Sequence, residues 1–95
     1  TSISDARKGI SGQKVRVGGM ISEIKKIITR SGKPMMFINL EDLSGKMEMI
    51  VFAEMIEKNP NLFEEDKIGF FAGKIDHRDA VPKIICEKAE EILEG

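Results

Sequence analysis

The side chains with the clearest chemical potential are cations that lie close together in the first half of the sequence: Lys25, Lys26, Arg30 and Lys33. A cluster of this kind can follow a chain of phosphates, because each cation neutralises a phosphate whatever base it carries. Each cation alone is explained as well by the hydrated surface that every domain in water needs. The clustering therefore predicts an anion-binding surface, and a merely hydrated surface is the alternative.

No residue pattern predicts catalysis, a metal centre or a cofactor. Cys86 is the only cysteine, which excludes an internal disulfide and a cage of cysteine ligands. His77 has no partner at metal-ligand spacing. Glu41 and Asp42 are adjacent in a predicted strand, so their carboxylates point to opposite faces and cannot act as a catalytic pair. We therefore expect a binding domain that is not itself an enzyme.

Length and charge point to one small domain with an uneven charge distribution. The 95 residues carry a net charge of −1, but residues 1–46 have a balance of +5 and residues 47–95 a balance of −6. A chain polarised in this way can present a basic face although its total charge is nearly neutral. The sequence thus leaves a polyanionic partner open.

The sequence also gives expectations about location. No apolar run approaches the ~18 residues of a membrane span, and charges interrupt the first twenty residues, where a signal peptide would be apolar. With a single cysteine, these features predict a cytoplasmic protein without a membrane partner. The chain begins at Thr1, which suggests a segment of a longer protein, and as an isolated domain it is expected to be a monomer.

Periodicity predicts five strands and one short helix. Residues 14–29 form the first strand, in which Gly18 and Gly19 are expected to mark a bulge or a bend. The spacing of its second half also fits a helix, but its β-branched isoleucines favour a strand. The other predicted strands cover residues 35–42, 46–52, 67–76 and 82–92, and the predicted helix covers residues 53–59.

This order of elements predicts a five-stranded Greek-key barrel of the OB type, with the helix closing one end. A long, bent first strand can pair in both halves of a closed barrel. The predicted organisation is an N-terminal arm or linker over residues 1–13, the barrel domain over residues 14–92 and a short tail over residues 93–95.

Part of the sequence resembles the nucleic-acid-binding OB domains of the anticodon-binding superfamily, and within it most resembles the OB domain of bacterial DNA polymerase III alpha subunits. The matching features are GGMI in the first strand, RSGKPM, the hairpin FINLEDLSG and the following EMIVF. They lie within residues 14–92. Two features depart from the pattern: Pro60 interrupts a helix that usually runs on, and the turn after His77 carries fewer basic residues.

The resemblance implies a module that binds single-stranded DNA and holds the unpaired template near a polymerase active site. Nucleotidyl transfer would then take place elsewhere in the parent chain. The implied partners are single-stranded DNA, the rest of the polymerase chain and other subunits of the replication machinery. Two alternatives stay open, namely RNA, as in an anticodon-binding domain, and a protein partner on the same face.

The side chains of the second strand alternate between two faces. If Met36, Ile38 and Leu40 point into the barrel, Phe37 and Asn39 point outward; spacing alone leaves the opposite phase, with Phe37 in the core, open. The resemblance favours the outward phase, in which a base stacks on Phe37 and Asn39 hydrogen-bonds a base edge. The first loop and the loop between strands four and five flank the binding face of an OB barrel. The later basic candidates for this face are Lys46, Lys74, His77 and Arg78, with Lys83 nearby.

Overall fold

Five strands and two short helices are present in the described part of the chain, residues 1–77 and 80–92 of a computed structural model. In chain order they are α1 (Ile3–Arg7), β1 (Lys14–Ile28), β2 (Pro34–Asp42), β3 (Gly45–Val51), α2 (Ala53–Lys58), β4 (Ile68–Asp76) and β5 (Lys83–Glu91). The strands close into a barrel in the order β1-β2-β3-β5-β4, with only β3 and β5 parallel among these described strands. The predicted all-β, five-stranded barrel with a helix between β3 and β4 is confirmed. The predicted tail at residues 93–95 lies outside the described residues.

Inward-facing side chains fill the barrel, because alternate residues of each strand point to the same side. The largest fully buried side chains on the strands are Val17, Ile21, Ile38, Leu40, Met47, Met49, Val51, Phe71, Ile75 and Ile84. Cys86 is buried among them. The core is therefore apolar and leaves the polar chemistry to the outer surface.

A β-bulge in β1 bends the strand between its two partners. The first half of β1 pairs with β4 up to Met20, and the second half pairs with β2 as far as Ile28. The register shifts between Ile21 and Glu23, so Ser22 is the extra residue of the bulge. The bulge thus lies at Ser22 and not at Gly18 and Gly19, where the sequence predicted a bulge or a bend.

Gly19 serves close packing of neighbouring backbones instead. A Cβ atom at this position would lie 2.9 Å from the carbonyl oxygen of Glu41 and 3.3 Å from the side chain of Ile3. Contacts at these distances would force the strand or the helix to move. The glycine thus allows β1, β2 and α1 to meet at one end of the barrel.

The two helices cover the barrel ends. On α2, Met55 and Ile56 pack against the core, and Pro60 follows the helix. The sequence analysis missed α1, because it expected only an arm over residues 1–13. Ser2 caps this helix by accepting a hydrogen bond from the Asp5 backbone N–H. Its Ile3 and Ala6 are buried in the core, so this segment contributes to the fold. Neither helix among the described residues has the length and hydropathy needed to cross a bilayer.

Candidate nucleic-acid interface

The outward side chains of β2, β3 and the second half of β1 form one continuous surface, which we call the front face. The strand registers bring together Glu23, Lys25 and Ile27 of β1, Met35, Phe37, Asn39 and Glu41 of β2, and Lys46, Glu48 and Ile50 of β3. This surface contains four of the residues that the sequence singled out as candidates: Lys25, Phe37, Asn39 and Lys46. Its centre is apolar and its edges are charged.

Phe37 lies at the centre of the front face. Met36, Ile38 and Leu40 are buried, whereas Phe37 between them is only partly buried. The outward phase of β2 is therefore the one that the structure adopts. Phe37 has Lys25 opposite it on β1 and Ile50 opposite it on β3. Its ring thus sits in an apolar setting with a cation beside it.

Asn39 lies two positions further along β2 on the same face. Its Nδ2 donates a hydrogen bond to the Glu23 carboxylate at 3.3 Å. This bond uses one of the two amide hydrogens and leaves the amide oxygen and the second hydrogen available. Asn39 therefore keeps the donor and the acceptor that a base edge would need.

The loop between β1 and β2, residues 29–33, presents two exposed cations. The backbone N–H of Thr29 donates to the Lys33 carbonyl, and that of Gly32 donates to the Thr29 carbonyl, both at 2.9 Å. Gly32 has a φ of 81°, a left-handed conformation that glycine adopts without strain. The tight turn projects Arg30 and Lys33 into solvent. No carboxylate among the described residues forms an ion pair with either side chain.

Lys25 and Lys26 lie on opposite sides of β1. Lys25 is opposite Phe37 on the front face, whereas Lys26 is opposite Met36, whose side chain points inward. Lys26 is exposed because it lies near the end of the strand, away from the filled interior. The structure thus brings Lys25 to Phe37 and places Lys26 on the other side.

The later basic candidates are dispersed. Lys46 lies four positions from Ile50 along β3, about 14 Å away, and pairs with Glu41 at 3.6 Å. Lys74 is on β4, outside the front face, and lies 4.0 Å from Glu87. Exposed pairs of this kind contribute little to stability, so they would not prevent a new contact.

His77 is tied to the N-terminal segment. Its Nε2 lies 2.6 Å from the carbonyl oxygen of Gly9, so Nε2 carries a hydrogen and donates it. The other ring nitrogen of a neutral imidazole has no hydrogen, so neutral His77 has no donor left for a phosphate. Lys83 pairs with Glu48 at 3.4 Å. The candidate Arg78 lies outside the described residues.

Phe52 is an aromatic side chain near this surface that the sequence analysis did not select. It follows β3 directly, and 47% of its surface is exposed. It lines a groove of about 510 Å³ together with Thr29, Ser31, Lys33 and Met35, among others. The signal that could have identified it is the alternation of β3, because Glu48, Ile50 and Phe52 are in phase.

Residues 15–92 match a family model described as an OB-fold nucleic acid binding domain. The chain belongs to this family.

The OB domain is similar to part of a much longer protein. It is 34% identical over 89 residues, 94% of this chain, to the DNA polymerase III subunit alpha of Bacillus subtilis. These residues make up 8% of that relative, so the chain spans less than a tenth of its length. The OB domain thus resembles one segment of a polymerase subunit.

Solved structures agree on the fold. The Entamoeba histolytica asparaginyl-tRNA synthetase superposes with a TM-score of 0.76 and 18% identity, over 99% of this chain and 23% of the synthetase. The second OB-fold domain of replication protein A from Methanococcus maripaludis gives a TM-score of 0.74 and 12% identity, over 100% of this chain and 96% of that domain. At these identities the likeness concerns the OB fold alone.

A hydrogen bond to the Glu91 carboxylate and the charge of that carboxylate raise the pKa of Lys67, and two further ionisable groups of the OB domain also have shifted pKa values. Burial raises the pKa of the Cys86 thiol to about 12, which makes it a poor nucleophile. Hydrogen bonds, above all from the Ser44 hydroxyl and then from the Ile3 backbone, lower the pKa of Asp42. Both groups serve the fold. Within residues 1–77 and 80–92, no cluster of His, Cys, Asp or Glu has a geometry that could hold a metal ion.

Proposed function

We propose that this OB domain binds single-stranded DNA on its front face, as a non-catalytic module of a DNA polymerase III alpha subunit. Phe37 is the stacking platform for a base, and Asn39 bonds the edge of a neighbouring base. Lys25, Arg30 and Lys33 contact phosphates. Nucleotidyl transfer takes place elsewhere in the parent polymerase chain. The remainder of that chain and other replication subunits are the protein partners.

The observation that carries this proposal is the position of Phe37. A partly exposed aromatic ring at the centre of an outward sheet face offers a surface on which any base can stack. Neither of its register neighbours, Lys25 and Ile50, covers it with a second ring. Stacking of this kind is tolerant of sequence, as a module that follows an unpaired template requires.

The distribution of partners around the front face favours an anionic ligand. Two of its acids form ion pairs, Glu41 with Lys46 and Glu48 with Lys83. Glu23 accepts a hydrogen bond from the neutral Asn39 amide and keeps its negative charge. Lys25, Arg30 and Lys33 have no ion pair with any described carboxylate. Three cations against the one acid Glu23 leave an excess of positive charge on this face and its loop. Binding through these cations is expected to weaken as salt rises, by ~0.7 counterions per phosphate on a single strand.

Because the domain would be joined covalently to the polymerase, a modest affinity for the template would be sufficient. A module joined to a polymerase meets the template at an effective concentration set by the linker, in the millimolar range for a short flexible one. Weak contacts with one or two bases can then keep the template close without stopping its movement. We therefore expect the isolated domain to bind weakly and reversibly.

A protein partner is the second candidate, because part of the same surface is apolar. Phe37, Ile50 and Ile85 are register neighbours across β2, β3 and β5, and such a row suits a protein contact as well as a base. RNA is the alternative nucleic acid, since stacking and phosphate contacts alone do not distinguish ribose from deoxyribose.

The test is a titration of the isolated domain with labelled single-stranded DNA, single-stranded RNA and duplex DNA of equal length, at low and physiological salt. The expected result is salt-sensitive binding that is strongest for single-stranded DNA. Preference for RNA would favour the anticodon-binding alternative. No binding to any of the three at low salt would reject the proposal and leave the protein partner.

A further inference from the structure

Phe52 continues the pleat of β3 although the strand ends at Val51. Its φ of −86° and ψ of 165° are those of an extended residue. Successive side chains of an extended chain point to opposite sides. Because Val51 is buried and points inward, Phe52 points outward, in phase with Ile50.

The register places Phe52 close to Phe37. Phe37 is directly opposite Ile50, and Phe52 is the next outward position after Ile50. Such diagonal neighbours on one face of an antiparallel pair are about 7–8 Å apart, within reach of aromatic side chains. Two rings at this spacing can accept two bases of one strand.

The surroundings of Phe52 suit a nucleotide. The groove beside it, about 510 Å³ in volume, is lined by the hydroxyls of Thr29 and Ser31, by Lys33 and Met35, and by one carboxylate, that of Glu54, among others. The two hydroxyls are 3.0 Å apart and share one hydrogen bond. A base on Phe52 would therefore lie next to hydroxyl groups and a cation that can contact its sugar and phosphate.

Phe52 is also an unusual choice for its place in the backbone. It is the N-cap residue of α2, and its side chain makes no capping hydrogen bond. Ser, Thr, Asp and Asn are preferred at this position, because their oxygens accept a bond from the free N–H groups of the first turn. A half-exposed ring that gives up this bond breaks a local rule, and such breaks occur mostly at functional sites.

We propose that Phe52 is a second base-stacking platform, so that one single strand places one base on Phe37 and another on Phe52. The phosphates of this strand then pass the loop that carries Lys33. This inference rests on the proposed single-strand binding and extends it by a second subsite.

The test compares Phe52 variants on two ligands: an oligothymidylate of about twelve residues and a fully abasic oligomer with the same phosphates. F52A and F52L should each bind the oligothymidylate about 5- to 150-fold more weakly than the wild type. F52W should bind nearly as well as the wild type. On the abasic oligomer all four proteins should bind equally, because no base is present to stack. F52L keeps apolar volume at the site, so it remains informative if F52A unfolds.

Phe70 supplies the matched control. It is another exposed phenylalanine, with 37% of its surface accessible, but it lies on β4, which pairs with neither β2 nor β3. F70A should bind both ligands like the wild type. If F52A and F52L bind oligothymidylate like the wild type while F37A binds weakly, only the second platform is wrong. An equal loss by F52A on the abasic oligomer would also overturn it, since the ring would then act through the fold. If the wild type binds neither ligand, the proposed function fails as well.

Discussion

Phe37→Ala separates a stacking role from a packing role, because the two roles change different measurements. The ring is partly buried and opens to solvent, so its removal leaves a notch on the surface and no closed cavity. The loss in unfolding free energy then comes only from the apolar surface that is no longer removed from water, about 1–2 kcal/mol, without a further cost for a cavity. In a domain of this size each kcal/mol lowers the melting temperature by about 4–8 °C.

Phe37→Ala should lower the affinity for single-stranded DNA much more than a typical surface substitution does. Loss of one stacked base is worth about 1–3 kcal/mol of single-strand affinity, which is about a 5- to 150-fold rise in Kd. The measurement is fluorescence anisotropy of a labelled oligothymidylate at low salt, with thermal melting of the same preparation by circular dichroism.

Phe71→Leu provides a variant of similar stability with an unaltered front face. Phe71 is fully buried on β4 and packs against Phe63, with ring centroids 6.4 Å apart. Shortening it should lower the unfolding free energy by about 1–2 kcal/mol and leave DNA affinity unchanged. If Phe37→Ala loses as much stability as Phe71→Leu and no more affinity, Phe37 is a packing residue and the stacking hypothesis is wrong.

Three further experiments test the loop cations, Asp42 and the buried Cys86. The double variant R30E/K33E should stay folded, bind single-stranded DNA more weakly and show a smaller salt dependence, by about 1.4 in the log–log slope for two phosphates; K88E, outside the front face, should match the wild type, and equal binding by both variants would remove the β1–β2 loop from the site. The pKa of Asp42 is lowered in the folded state, so its carboxylate stabilises the fold above the ordinary value of 3.8, and this contribution is lost as the pH falls through the lower folded pKa. The melting temperature of D42N should therefore lie below that of the wild type at pH 7, and the difference should shrink as the pH falls below 3.8; a constant difference would contradict this linkage. Cys86, buried and with its pKa raised to about 12, should react with a thiol reagent at pH 8 only when the domain unfolds, and rapid labelling without denaturant would show that the site opens in the native state.

The alternation of β2 and β3 could be predicted because each strand has one buried face. Met36, Ile38 and Leu40 and, on β3, Met47 and Met49 fix the inward side in a period of two. The choice between the two phases of Phe37 needed more than spacing, since both faces of β2 carry apolar residues. Helix α1 could not be predicted from periodicity, because its five residues make little more than one turn.

The bulge in β1 determines which lysine reaches the front face, and the sequence does not reveal it. Before the bulge, Val15, Val17 and Ile21 point inward at odd positions. The extra residue, Ser22, inverts the phase, so that Ile24 packs against the core and Lys25 points outward. Without the inversion, Lys26 would lie beside Phe37. A serine in a strand does not indicate a bulge. Gly18 and Gly19 do suggest one, but in this structure they allow close packing with neighbouring residues.

Local charge, not the total of −1, governs the proposed contact with DNA. At physiological ionic strength, charges more than about 8 Å apart in solvent are largely screened. Lys46 lies about 14 Å along β3 from the centre of the front face and pairs with Glu41 at 3.6 Å, so it adds little to binding there. Lys33 is four positions from Phe37 in the other direction and therefore serves phosphates that pass the β1–β2 loop. Lys25 beside Phe37 and the loop cations at the end of the same strand pair have no ion pair with a described carboxylate. Of the nearby acids, Glu41 and Glu48 are matched by lysines, and only Glu23 keeps its charge. A nearly neutral chain can thus attract a polyanion at one end of one face.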